Sequence, residues 1–211
     1  MSAKQLLPLS GVAAVLLMVV AFIVAGETPE TDESAQEVVS YYTDKETEVG
    51  IASALLGLGA FFFLLFSTTL TDALRRARPD SALSSRFSLA GGIVFAVGMT
   101  IFAGLAFASA DVVDDIDPSG LQTLNALNSD MFFTVLVGTG AFLLGAGIAA
   151  RKSDLLPAWL SWAAIVIGVL AITPVGFFGF LALGIWTLIV SVLLSMRGGA
   201  TQPGGATDTT A

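Results

Sequence analysis

The sequence predicts an all-α fold, a polytopic transmembrane helix bundle of six spans with N- and C-termini cytoplasmic. Three observations predict it. Only 12% of residues are charged and 55% are hydrophobic, where soluble domains carry about a quarter charged residues. Five stretches carry no charge at all, 5–26, 49–71, 87–110, 131–150 and 155–196. Acids and bases are segregated into different loops.

The first four uncharged stretches each match one membrane thickness at about 1.5 Å rise per residue. The fifth has 42 residues, roughly 63 Å as a helix, twice the hydrocarbon core. It must turn back, and Thr173-Pro174-Val175-Gly176 supplies the turn, because proline removes a donor and glycine tolerates positive φ. The spans are then 9–26, 49–71, 88–110, 131–150, 156–172 and 175–196, in one domain over 1–197. The tail at 198–211 is Gly/Thr-rich without apolar periodicity and is expected to be disordered.

Orientation follows from the bases. Lys4, Arg75, Arg76, Arg78, Arg86, Arg151, Lys152 and Arg197 fall on one side of a six-span topology, and Lys45 alone on the other. Positive charge marks the cytoplasmic side. Eight acids between Glu27 and Glu48, and five at Asp111, Asp114, Asp115, Asp117 and Asp130, lie outside. Trp159 and Trp162 fall at the inner end of the fifth span, an interfacial position. Lys4, an apolar run and Val24-Ala25-Gly26 also fit a cleaved signal peptide. The run exceeds the usual length of such a segment, so a retained first span is the main reading and cleavage its alternative.

Two outer loops predict short surface helices at about 34–43 and 118–127. Ser34-Ala35-Gln36-Glu37 has capping-box form, with Val38, Tyr41 and Tyr42 following at helical spacing. Asp117 is placed to cap, Pro118 suits the first turn, and Leu121, Leu124 and Leu127 share a face. The two helices form either solvated connectors or a lid, and Tyr41 and Tyr42 are the candidate outer interface, with their rings at headgroup level. The acids at 111–117 lack the spacing of a calcium loop.

Gly92, Ala96, Thr100, Gly104 and Ala108 recur every four residues in the third span, and Ala141, Gly145 and Ala149 in the fourth. Small residues let helices approach closely in lipid, so both stripes are expected to face other helices. Gly57-Leu58-Gly59-Ala60-Phe61 resembles Gly138-Thr139-Gly140-Ala141-Phe142 and hints at a repeat of helix hairpins. Thr68, Thr69 and Thr71 line a polar path or satisfy their own helix carbonyls.

Cysteine and histidine are absent, which removes thiol nucleophiles, Cys/His zinc sites and His-ligated haem. The spans carry no ionisable residue of the kind that marks proton relays. No catalytic, cofactor or metal residue is assigned. An enzyme would need converging carboxylates, and Asp72 with Asp154 is the one pair to name.

Val39-Ser40-Tyr41-Tyr42-Thr43-Asp44, the helix ending in Leu74-Arg75-Arg76-Ala77, and Leu155-Leu156-Pro157-Ala158-Trp159-Leu160-Ser161-Trp162 carry a resemblance. The chain resembles uncharacterised actinobacterial multi-pass membrane proteins of a domain-of-unknown-function family. The resemblance implies a six- or seven-helix protein of a bacterial cell membrane and no assigned activity. The expected function is a non-catalytic interaction or accessory protein, with a small transporter or channel for an uncharged or lipophilic solute as the alternative. The expected partners are the lipid bilayer and a membrane protein or a further copy of the chain, with no nucleic acid and no cofactor.

Overall fold

The computed structural model of the protein describes residues 6–153 and 155–200. Lys4, Asp154 and most of the predicted tail therefore lie outside the described residues. After a 3-10 turn at Leu7–Leu9, the helices are α1 (Ser10–Ala25), α2 (Ala35–Asp44), α3 (Glu46–Ala77), α4 (Ala82–Asp111), α5 (Pro118–Arg151), α6 (Ala158–Ala171) and α7 (Gly176–Ala200). Five are long and apolar enough to cross a membrane, namely Leu7–Ala25 and helices α3, α4, α5 and α7, and α6 is shorter at 14 residues.

The bundle is a membrane protein in its distribution of side chains. Leu16, Ile23, Phe61, Phe133, Val166 and Ile185 are exposed, while Ser67, Ser85, Ser88, Ser161 and Ser191 are buried. Water would favour the reverse. In a bilayer the apolar exterior meets lipid, and helix association relies on close packing and interhelical hydrogen bonds. The long helices in contact run antiparallel, as Gly11 against Phe66 with Gly59 against Met18, and Gly91 against Phe142 with Gly98 against Val135, show, and bases gather at one end. There Arg78 Nη1 donates to the Lys152 carbonyl at 2.9 Å, Arg197 to the Leu155 carbonyl, and the Arg151 guanidinium lies 5.2 Å from the Trp162 ring centroid. Trp159 and Trp162 are both exposed beside these bases.

The tightest packing runs through α5. A Cβ added to Gly145 would lie 2.4 Å from Ser88 N, one on Gly138 2.3 Å from Phe95 N, and one on Gly91 2.2 Å from Phe142 N. The backbones of α4 and α5 are therefore nearly in contact, and Ser88 Oγ donates across them to the Phe142 carbonyl at 2.9 Å. The opposite side of α5 packs on α6 in the same way. A Cβ on Gly140 would be 3.0 Å from the Gly168 carbonyl and one on Gly147 2.8 Å from that of Ser161. Two glycine tracks with a seven-residue spacing, 138/145 and 140/147, thus place α5 between two close neighbours. A two-residue offset is about 200° of helix rotation, so the tracks face opposite sides.

This geometry corrects the four-residue stripe predicted on α4. Gly92 and Ala96 are buried, but Thr100, Gly104 and Ala108 are exposed, and a Cβ on Gly104 would meet nothing within 4 Å. The reason is geometric: each four-residue step advances about 40° around a helix, so a stripe held for four steps turns about 160°. Contact on α4 follows Ser84, Ser88, Gly91, Phe95 and Gly98 instead, alternating four and three. On α5, Gly145 and Ala149 are buried and Ala141, half-buried, abuts Gly91. The hinted repeat is not a likeness of surroundings. Gly57 faces open space while Gly138 meets α4, and Phe61 is exposed while Phe142 is fully buried.

The end of the bundle opposite the bases differs from expectation in two respects. The predicted surface helix 118–127 and the span beginning at 131 are one continuous helix, α5, because no residue between Leu127 and Met131 breaks it. Its 34 residues extend roughly 51 Å, well beyond the core. The second correction concerns α2, which lies on the protein and not as a free interface. Ser34 and Glu37 form both bonds of a capping box, which holds the Glu37 carboxyl below its ordinary pKa. Val38 and Tyr42 then pack with Val49, Ala110, Val113 and Leu121.

Candidate functional site: an apolar side cavity and a recess beneath the lid

Between α1 and α7 lies a cavity of about 400 Å³, open on one side. Its mouth is rimmed by Val19, Phe22 and Ile23 of α1 and by Phe177 and Leu181 of α7, all exposed. Its floor is Phe63, Phe95, Phe180 and Leu183, all buried. Phe63 and Phe95 sit with ring centroids 4.2 Å apart. One polar side chain enters this lining. Thr187 is fully buried, and its Oγ1 makes no hydrogen bond. A helical threonine ordinarily satisfies itself on a carbonyl one turn back, as Thr69 does on Leu65 at 2.8 Å.

The cavity ends where α1 and α7 close on each other. A Cβ on Gly11 would lie 2.2 Å from Ser191 Oγ and 2.8 Å from Phe66. The same helices stand apart at Gly184, where a Cβ would find only Val15 Cγ1, at 3.7 Å. From Phe177 to Thr187 the cavity runs about 15 Å along α7, half of a hydrocarbon core.

Above it, under α2, is a second and smaller space of about 120 Å³. Phe22 lines both. The rings of Phe22, Phe180, Phe132 and Phe102 form a chain of edge contacts between them, with centroids 6.0, 5.2 and 5.5 Å apart in that order. The recess is lined by Tyr41, Tyr42, Asn125, Asn128, Ser53 and Ser129 among others. Asn125 latches the lid. Its Oδ1 accepts from the Tyr42 hydroxyl at 3.1 Å, and its Nδ2 donates to the Pro29 carbonyl at 3.2 Å. Gln122 Nε2 donates to the Glu33 carbonyl at 2.7 Å, and the Tyr41 hydroxyl to that of Ala25 at 3.1 Å. Asn128 is buried and its Oδ1 has no hydrogen-bond partner.

The two tyrosines, predicted as an outer interface, are thus turned inward. Tyr42 is 2% exposed. Burial, with Tyr42 as neighbour, pushes the Tyr41 phenol up to about 12, and burial raises Tyr42 also. A free tyrosine ionises near 10. Between about 10 and 12 the docked lid therefore holds protons that an undocked lid has lost, so docking weakens as pH rises through that window and is unaffected below it. The chain has only two tyrosines, so a phenolate absorbance titration reads them directly. The expected curve lies well above pH 10 in the folded protein and returns to near 10 on denaturation.

The other sequence candidates find local partners. Thr68 and Thr69 donate to the Leu65 carbonyl, both at 2.8 Å, and Thr71 reaches the Ser85 carbonyl. Asp117 caps α5 through Gly120 N at 3.0 Å. Asp72 pairs with Arg76 at 2.8 Å, and its suggested partner Asp154 lies outside the described residues. Among the described residues no cluster of three acids could hold a metal ion.

Sequence reasoning missed the cavity. Its residues carry no polar pattern, and its one signal is Gly184 followed by Thr187 one turn later within an otherwise apolar stretch, 180–190, of α7. Comparison with curated proteins and with solved structures returned no match. The model of the family described as Domain of unknown function (DUF4386) matches residues 9–200, which takes in every helix of the bundle, and the chain belongs to that family.

Proposed function

We propose that this membrane protein is a non-catalytic accessory protein of a bacterial cell membrane that holds one lipophilic molecule in the cavity between α1 and α7. The observation that carries the reading is the cavity itself: apolar walls, one side open towards lipid, and a single unpaired hydroxyl at Thr187. Binding sites of this kind are concave, mainly apolar and supplied with few polar groups. The closure at Gly11 and Ser191 favours a bound molecule over a solute passing through, which ranks the channel reading second.

In this proposal the basic end faces the cytoplasm and the lid faces outward. The chain crosses six times, α6 being the fifth crossing. Its 14 residues span about 21 Å, short of a core of about 30 Å. Local bilayer thinning and the flanking apolar residues Leu155, Leu156 and Ile172 accommodate the difference. Packing of α6 antiparallel to α5 and to α7, with Trp186 Nε1 donating to the Leu160 carbonyl at 3.0 Å, supports that path.

Methyl oleate serves as a probe. At a hundredfold excess over Kd, a ligand confined to the folded state stabilises by about 2.7 kcal/mol, or roughly 5–10 °C in Tm for a chain of this size. Wild-type protein in detergent should show that rise with concentration. Gly184→Leu, at a cavity-lining position where a Cβ would meet only Val15 Cγ1 at 3.7 Å, should fold normally and show none. Equal shifts in both proteins would place the lipophile elsewhere.

A further inference from the structure

Because the cavity and the recess beneath the lid share Phe22 as a wall, we infer that the bound molecule is a single-chain amphiphile with an uncharged, hydrogen-bond-donating head, its tail in the cavity and its head at Asn128. The inference rests on the reading of the cavity as a lipophile site and adds the class of the ligand.

Asn128 carries it. The residue is 7% exposed and lines the recess, and its Oδ1 accepts no hydrogen bond. A buried acceptor left unmade is costly, so a native protein ordinarily supplies a partner. Asn125, one turn earlier, has both ends of its amide engaged by the lid. Both asparagines line the recess, and the difference between them is that the Asn128 Oδ1 alone is left without a partner there. A hydroxyl or amide N–H on a ligand would complete it.

The depth is consistent with that head. Asn128 lies two residues from Asp130, at the outer end of the apolar part of α5, where headgroups begin. The cavity lies on the membrane side of it. An outer-leaflet amphiphile entering between α1 and α7 would arrive with its head at that level, and rotation of the partly exposed Phe22 ring would join the two spaces. Among the described residues no carboxylate lines the recess, and its tyrosines are neutral at physiological pH. The nearest cation, Lys45 Nζ, rests over the Tyr41 ring at 5.2 Å from its centroid and close to Gly26 at the recess edge. A charged head in the recess would lose its hydration with only Lys45 to offset it, which is why an uncharged head fits better.

The test compares three probes with one tail, monoolein, methyl oleate and oleate, in equilibrium titrations of the full chain. Monoolein offers hydroxyl donors, methyl oleate offers none, and oleate is anionic. Wild type should prefer monoolein over methyl oleate by about tenfold. Asn128→Leu should abolish that preference while binding methyl oleate as wild type does, and Asn128→Ser should retain part of it. If wild type binds monoolein and methyl oleate equally, the head site is overturned and the cavity reading stands. If it binds none of the three, the cavity reading itself fails. Tighter binding of oleate than of monoolein would assign the head to Lys45 and overturn the uncharged class.

Discussion

Gly145→Leu is expected to prevent assembly of the bundle, whereas Gly104→Leu, at a residue of the same type one helix away, should leave it intact. At Gly145 even a methyl group would stand 2.4 Å from Ser88 N and 2.7 Å from the Ser84 carbonyl. Both obstacles are backbone, so α4 and α5 must separate, and the Ser88 bond to the Phe142 carbonyl is lost with them. Overpacking a core costs about 1–3 kcal/mol when side chains can shift. A backbone obstacle puts this substitution at or above the top of that range. In lipid there is little apolar driving force to bring displaced helices back together. Gly104 has nothing within 4 Å of its Cβ position, so leucine there adds only lipid-facing surface and should change stability by about 0.5 kcal/mol or less. Thermal unfolding and gel-filtration behaviour in detergent distinguish the pair. A Gly145→Leu protein as stable as wild type would contradict the close approach of α4 and α5.

Asn125→Leu should release the lid without unfolding the bundle. The substitution removes the acceptor of Tyr42 and the donor to Pro29 together, leaving a buried hydroxyl and a carbonyl unmade. Each such group costs about 1–3 kcal/mol, so lid docking should weaken by about 2 kcal/mol or more, a factor of roughly 30 in the open population. Amide hydrogen exchange over residues 27–44 should accelerate by that factor, while exchange in α5 below Val135 should not. Val38 and Leu121 keep some attachment, so the lid should open more often and not come free entirely. Unchanged exchange in the lid would mean that the apolar contacts alone hold it.

What the sequence disclosed depended on the kind of signal. The apolar helices are legible because uncharged runs of membrane length have little other use, and the start of α2 is legible because Ser34 and Glu37 satisfy backbone donors in a fixed local pattern. The failures come from tertiary geometry. A four-residue stripe looks like one face in a sequence, yet it winds around the helix, and Thr100, Gly104 and Ala108 end at the lipid side. The glycines that matter, 138 and 145 against α4 and 140 and 147 against α6, stand in the sequence as two Gly-x-Gly pairs seven residues apart. That heptad spacing was the signal available. The inward turn of Tyr42 depends on Asn125, 83 positions away, and no local pattern links them. The cavity is a difference in helix separation between Gly11 and Gly184, which composition does not encode.

Native mass spectrometry of the protein released from a mild detergent should show one lipophilic adduct per chain in the wild type, retained through detergent removal and absent from Gly184→Leu. A bare chain in both proteins, or an unsaturating ladder of bulk lipids alike in both, would contradict the cavity reading.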